Sequence, residues 1–309
     1  MKERIAVVPK IGDYDDALRM LVERCLGCKS IPCPPITKRT VEVGAKHSPD
    51  TVCTPFKIVM GNFIEALEKG ANVLFMPGFG CRLGFYDMLH EQILRELGYE
   101  FEMVALCDYT ATATRIFNSL TDVEPTLTRQ KFDEIFAEVC KMIYDIDMKR
   151  RAEYKLENPT LRIGIAGDLY TVMEPHGNHD MEKWLLEHNI EVVRLTDLTY
   201  LATNLFDVNK LIGESGGYVD YNLGGNANST IAQVYKMVSG ENPVDGVIHI
   251  KAATCTPEIS AMTILQDMSA DFEVPFMYMT FDTETGEAGL HTRLEAFCDM
   301  LTMKRAKRN

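Results

Sequence analysis

Nine cysteines stand in this chain, and their surroundings are the first features in it that could do chemistry. A thiolate is a nucleophile and a soft metal ligand, whereas a thiol in apolar surroundings is inert packing. Cys25-Leu26-Gly27-Cys28 is a C-x2-C pair, and Cys33 follows five residues later among prolines (Pro32-Cys33-Pro34-Pro35). That spacing serves zinc and iron–sulfur sites alike. No second C-x2-C and no well-spaced histidine pair completes a zinc site, and Cys25 as the core-facing end of a helix explains the pattern equally well. Cys53-Thr54-Pro55 and Cys255-Thr256-Pro257 repeat one tripeptide, each just ahead of a predicted helix. Threonine is a good N-cap and proline suits the first helical position. Each cysteine is thus expected beside a helix N-terminus, whose free amides and positive dipole end favour thiolate.

Cys81 lies in Gly78-Phe79-Gly80-Cys81-Arg82-Leu83-Gly84. The glycines permit close backbone approach to a bulky group, and Arg82 would offset the negative charge of thiolates and sulfides. Taken alone, the loop reads equally as an ordinary glycine-rich turn. Cys107, Cys140 and Cys298 read as packing residues, at a strand end and on two helices. His176 and His179 are a weaker chelate candidate than they are parts of a polar loop at a helix start. Gly224-Gly225-Asn226-Ala227-Asn228 precedes a helix but lacks a P-loop lysine and does not fit G-x-G-x-x-G. Met60, Met76 and Met88 read as core filler.

The elements that position these residues alternate. Residues 4–9 (RIAVVP), 72–76 and 101–106 are predicted strands, and 15–24, 56–69 and 86–97 predicted helices. A long charged helix covers 127–155 and ends at a turn near Glu157-Asn158-Pro159. A second series has strands at 161–166, 190–194, 246–250 and 274–280, with helices at 180–188, 229–238, 258–268 and 292–303. This predicts an α/β fold of two Rossmann-like domains, 1–157 and 158–309. Each is doubly wound on a mostly parallel sheet, with a cleft between them. Cys81 and Cys255 then follow strands at their carboxyl ends, where open α/β sheets bind ligands.

Composition sets the outer limits. With 309 residues, 46% apolar and 25% charged, the chain has the balance of a globular protein. It has no run of about 20 apolar residues that would span a membrane. The apolar run of MKERIAVVPK is too short for a signal peptide, which makes the cytoplasm the expected location. A net charge of −13 argues against a nucleic-acid groove. The basic end MKRAKRN reads as a frayed, solvated tail.

Longer stretches carry a resemblance. Residues 34–40 (PPITKRT), 47–49 (HSP), 53–57 (CTPFK) and 61–67 (GNFIEAL) are similar to the 2-hydroxyacyl-CoA dehydratase and benzoyl-CoA reductase-like superfamily. The chain resembles above all its short members, the acyl-CoA dehydratase activase-related proteins. The likeness continues in order through 81–86 (CRLGFY), 254–258 (TCTPE), 281–282 (FD), 285–289 (TGEAG) and 292–297 (TRLEAF). It departs at Phe79-Gly80, where the short relatives carry glycine–proline, and at Cys33, where an apolar residue or proline is commoner.

The resemblance implies an oxygen-sensitive iron–sulfur cluster between two Rossmann-like domains, bound by Cys53, Cys81 and Cys255, in an anaerobic, low-potential electron-transfer system. It implies as donor an ATP-hydrolysing activase of the actin-like sugar-kinase fold, and a homodimer or a heterodimer with a related subunit. Within that superfamily the cluster passes one electron to a thioester carbonyl, while the protein sets potential, access and orientation. A single 4Fe–4S cubane is the favoured reading. Cys25, Cys28 and Cys33 as further ligands would instead make six thiolates and an 8Fe–9S double cubane. Arg82 and Glu258 are expected near the cofactor, with Asn178, Asn226 and Arg293 as other polar residues of the cleft. No catalytic side chain is assigned. The alternatives to a lyase or reductase are an electron-relay or scaffold subunit and a cluster-free protein with zinc or structural thiols.

Overall fold

A computed structural model of the chain describes residues 3–76, 86–106, 112–204 and 207–308. By packing, it divides into two compact units, Met1–Asp147 and Met148–Asn309. In the first, a parallel sheet of order β2-β1-β3-β4 is built from β1 (Ile5–Val7), β2 (Lys29–Ser30), β3 (Val73–Met76) and β4 (Glu102–Ala105). Its helices are α1 (Asp15–Leu26), α2 (Lys38–Lys46), α3 (Thr54–Glu68), α4 (Tyr86–Glu96), α5 (Ala113–Val123) and α6 (Arg129–Glu153), and the division between the units falls inside α6.

The second unit repeats this strand order. Its parallel sheet, β6-β5-β7-β8, is made of β5 (Leu161–Gly167), β6 (Ile190–Arg194), β7 (Gly246–Ala252) and β8 (Phe276–Phe281). Helices α7 (Leu169–Met173), α8 (Met181–Glu187), α9 (Leu198–Asn204), α10 (Val208–Gly213), α11 (Ala227–Ser239), α12 (Thr256–Asp271) and α13 (Glu287–Arg308) complete it. The expected fold is therefore found: two Rossmann-like α/β units with parallel sheets.

Strand β7 is buried along its whole length because helices cover both sheet faces. Ile248 and Ile250 join the core beneath α8 and α13, while Val247 joins the core beneath α11 and α12. The pleat thus sends Val247, His249 and Lys251 to the α11–α12 side. The basic end of the chain is not a frayed tail. Helix α13 continues to Arg308, and its last turns are tied down by Lys304 to Glu273 O and by Arg305 to Thr160 O at 2.7 Å. No helix among the described residues is long and apolar enough to cross a membrane.

In the first unit, α2 crosses α3 at Gly44 and Gly61. A Cβ on Gly61 would stand 2.0 Å from Thr40 O, and one on Gly44 would stand 1.8 Å from Lys57 O. Only hydrogen at these positions lets the two backbones approach so closely. Glu65, on α3, adds a buried hydrogen bond from Thr40 Oγ1 at 2.8 Å and an ion pair with Arg39 at 2.8 Å.

Candidate functional site

In each unit the helix leading into the third strand (α3, α11) and the helix leaving it (α4, α12) start at the carboxyl edge of the sheet. This is the crevice where α/β sheets take ligands. Cys53 occupies the start of α3 and Cys255 the start of α12. The two Cys-Thr-Pro segments thus fill different topological positions, and the counterpart of Cys53 in the second unit is the Gly224-Gly225-Asn226 turn before α11. The cysteines themselves are the N-caps, with extended backbone (φ −72°, ψ 161° and φ −71°, ψ 94°) and proline at the second helical position. The expected frame, with threonine as cap, is one residue off. Neither helix start carries a side-chain cap, and both thiols are partly exposed. A place at a helix N-terminus and partial exposure suit a thiolate donor.

Around Cys53, Sγ hydrogen-bonds with Tyr86 Oη. The Tyr86 ring meets Phe56 edge-on at 5.1 Å, and His90 stacks on Phe56 at 3.7 Å. His90 is wholly buried, with Nδ1 2.6 Å from Tyr86 O and Nε2 3.1 Å from Phe56 O. Burial pushes its pKa down to about 4, so it is neutral imidazole at pH 7 and donates to one carbonyl only. Beside it an open groove of about 660 Å³ is lined by Val52, Phe56, Tyr86, Met88 and Leu89. Met88 is 60% exposed there and is not core filler, whereas Met60 and Met76 are core residues.

The C-x2-C region is drier. Cys25 is 1% exposed on the core side of α1, and burial pushes its thiol up to about 11. Cys33 is buried, and half-buried Cys28 is also raised by desolvation. Among the described residues, no three His, Cys, Asp or Glu side chains gather as a metal site. Cys81, Arg82 and Cys107 lie outside the described residues. Cys298 packs on the core beneath α13 as expected, but Cys140 is exposed on α6 instead of packed, since Phe132, Ile135 and Val139 take the buried side of that helix. His176 and His179 lie in the loop before α8, where His179 and Asp180 both take left-handed backbone and His179 stacks on Phe281 at 5.9 Å.

The second unit holds a buried polar array that sequence reading missed apart from Glu258 and Asn226. Glu258 is fully buried in the first turn of α12, and both its oxygens are used within the protein. Oε2 lies 2.8 Å from His249 Nε2 on β7, and Oε1 accepts from Thr230 Oγ1 at 3.0 Å. Asn226 donates to Gly167 O at 2.7 Å, while its Oδ1 and His249 Nδ1 are buried without a partner among the described residues. Asp168 caps α7 and accepts from Ala252 N at 2.7 Å. Burial, together with nearby Glu258, raises its pKa. Asn178 is buried in internal hydrogen bonds to Thr171 O and Glu182, and Arg293 donates to Tyr278 O.

Lys251, two residues beyond His249, is only 6% exposed. Among the described residues its ammonium makes one contact, 3.4 Å to Ala253 O in the turn that leads to Cys255, and no ion pair. Its signal in the sequence was a pair of polar residues two apart, His249 and Lys251, in an otherwise apolar strand.

A family model described as CoA enzyme activase uncharacterised domain (DUF2229) matches residues 22–198, more than half of the chain. The chain belongs to this family. The match covers Cys25, Cys28, Cys33, Cys53 and Cys81 and runs into the second unit as far as α9, stopping short of Cys255. This places the chain in the activase-related group on which the sequence resemblance converged. No curated protein matches it.

Proposed function

We propose that this protein is an iron–sulfur component of an ATP-driven electron-transfer system serving CoA-thioester enzymes, with Cys53, Cys81 and Cys255 as thiolate ligands. The observation that carries the reading is the shared setting of Cys53 and Cys255. Each is a partly exposed thiol at the uncapped N-terminus of a long helix, at the carboxyl edge of a parallel sheet. Membership of a family described by CoA-enzyme activation supports the same context. A bound cluster would supply one-electron, low-potential chemistry. The chain's own contribution would be to hold the thiols, limit water and, through Tyr86 Oη, donate a hydrogen bond to Cys53 Sγ. The favoured form is a single 4Fe–4S cubane, because Cys25 and Cys33 are buried and burial disfavours the thiolate needed for a second set of ligands. The expected electron donor is an ATP-hydrolysing activase of the actin-like sugar-kinase fold.

Iron and acid-labile sulfide are measured on anaerobically purified protein. About four irons per chain is expected, and about eight would mean a double cubane. Cys53→Ala, Cys81→Ala and Cys255→Ala should each lose most of the iron, and Cys140→Ala and Cys298→Ala should keep it. A colourless chain without iron after reconstitution overturns the reading. A second reading, an electron relay that never meets substrate, is favoured by a family description that names activation and not a reaction. Reduction by activase and ATP without turnover of any 2-hydroxyacyl-CoA would select it.

A further inference from the structure

A lysine ammonium taken out of water without a counter-charge is costly, and buried charges are normally paired. Lys251 breaks that rule: it is 6% exposed, and among the described residues it has no carboxylate partner and one long contact to a backbone carbonyl. Its place is informative. Strand alternation sends it to the α12 side of the sheet, and its contact with Ala253 O holds it over the turn that opens α12. That turn ends in a 16-residue helix whose N-terminus no side chain caps. Pro257 has no N–H, so the amides of Thr256 and Glu258 are the first-turn donors that remain. The one acid in that turn, Glu258, is turned inward to His249 and Thr230. A lysine side chain only 6% exposed and a helix N-terminus without a side-chain cap therefore converge on one turn.

We propose that Lys251 and the first turn of α12 form an oxyanion-binding site that takes a carboxylate or phosphate group beside the Cys255 thiol. The inference goes beyond iron binding and does not depend on it. A compact oxyanion supplies what both features lack, a negative charge for the ammonium and acceptors for the amides.

The test uses the full-length, reduced, iron-free chain, so failure of iron binding and failure of this site are separate results. Cys255 is alkylated with anionic iodoacetate and with neutral iodoacetamide, and each rate is read by peptide mass spectrometry. The ratio of the two rates cancels the thiolate fraction and reports attraction of the anion alone. Lys251→Gln should lower this ratio several-fold at Cys255 and leave it unchanged at exposed Cys140, and Lys251→Arg should preserve it. Sodium phosphate or sodium acetate, compared with chloride at equal ionic strength, should slow iodoacetate at Cys255 in the wild type. Protection by phosphate alone identifies a phosphate site, and protection by acetate alone a carboxylate site. Lys251→Met should raise the Tm of the anion-free chain and abolish any rise caused by phosphate or acetate. An unchanged ratio in Lys251→Gln overturns the proposal. If that variant does not fold, the absence of protection by both anions in the wild type overturns it.

Discussion

Helices α3 and α12 both begin Cys-Thr-Pro, and both make the cysteine their N-cap, yet the protein fixes the two helix starts by opposite means. Helix α3 is set by backbone contact, with Gly44 and Gly61 letting α2 lie against it without intervening side chains. Helix α12 is set by a polar tether, Glu258 reaching from its first turn to His249 on β7 and Thr230 on α11. The glycine crossing packs backbone on backbone, whereas the second tether is a buried hydrogen-bonded array whose members hold one another in place. A shared motif therefore fixes where the thiol sits along a helix but not the environment that tunes it.

The contrast can be broken by substitution. Gly61→Ala drives a methyl group into Thr40 O and should cost on the order of 3 kcal/mol. Hydrogen exchange in α2 and α3 peptides of the full chain should rise accordingly, and a loss below about 1 kcal/mol would mean that the crossing relaxes freely. Glu258→Ala takes the partner from His249 Nε2 in the core, while Thr230 keeps Gly167 O, and should cost about 3 kcal/mol, read in α12 peptides. Glu258→Gln keeps the shape and should cost about 1 kcal/mol. Equal losses from both would show that packing, and not the hydrogen bonds, holds the helix.

Acid should separate the two units. His90 has a folded pKa of about 4, below its ordinary 6.5, so the unfolded chain binds the extra proton between these values. Protection around α4 should fall as pH drops from 6.5 to 4, by about 2–3 kcal/mol in all. His90→Gln should flatten that slope. Asp168 has the opposite sign. Its folded pKa is raised above 3.8, so its contribution is present in acid and fades as pH rises through the folded value. Asp168→Asn should remove that trend from β5 and α7 peptides. The smallest effect is expected at exposed Cys140, where Cys140→Ser should change stability by less than about 0.5 kcal/mol.

Much of this was legible in the residues. Strands of unbroken apolar character and helices with clear stops located both sheets, and the Cys-Thr-Pro repeat pointed to two helix starts. Short elements escaped for physical reasons. Strand β2 has two residues, too few for any period, and α2 buries only Thr40 and Gly44, neither of them a hydrophobic marker. The His249–Glu258 contact joins a strand to the next helix, and only the fold brings its two ends together. Lys251 lies one residue beyond the predicted strand 246–250, and only the fold shows that β7 continues past it under covering helices.

The glycine crossing also has a kinetic side. Its partners, Thr40 with Gly61 and Gly44 with Lys57, are close in sequence, so the loop closed to bring them together is short and its entropic cost small. The α2–α3 pair is therefore expected to form early in folding, with the seat of Cys53 built before the sheet is complete. The seat of Cys255 needs β7 already placed so that His249 can meet Glu258, and it belongs to a later stage. A chain caught part-way through folding would carry one finished thiol position and one unfinished, and substitutions at the crossing should slow folding more than they speed unfolding.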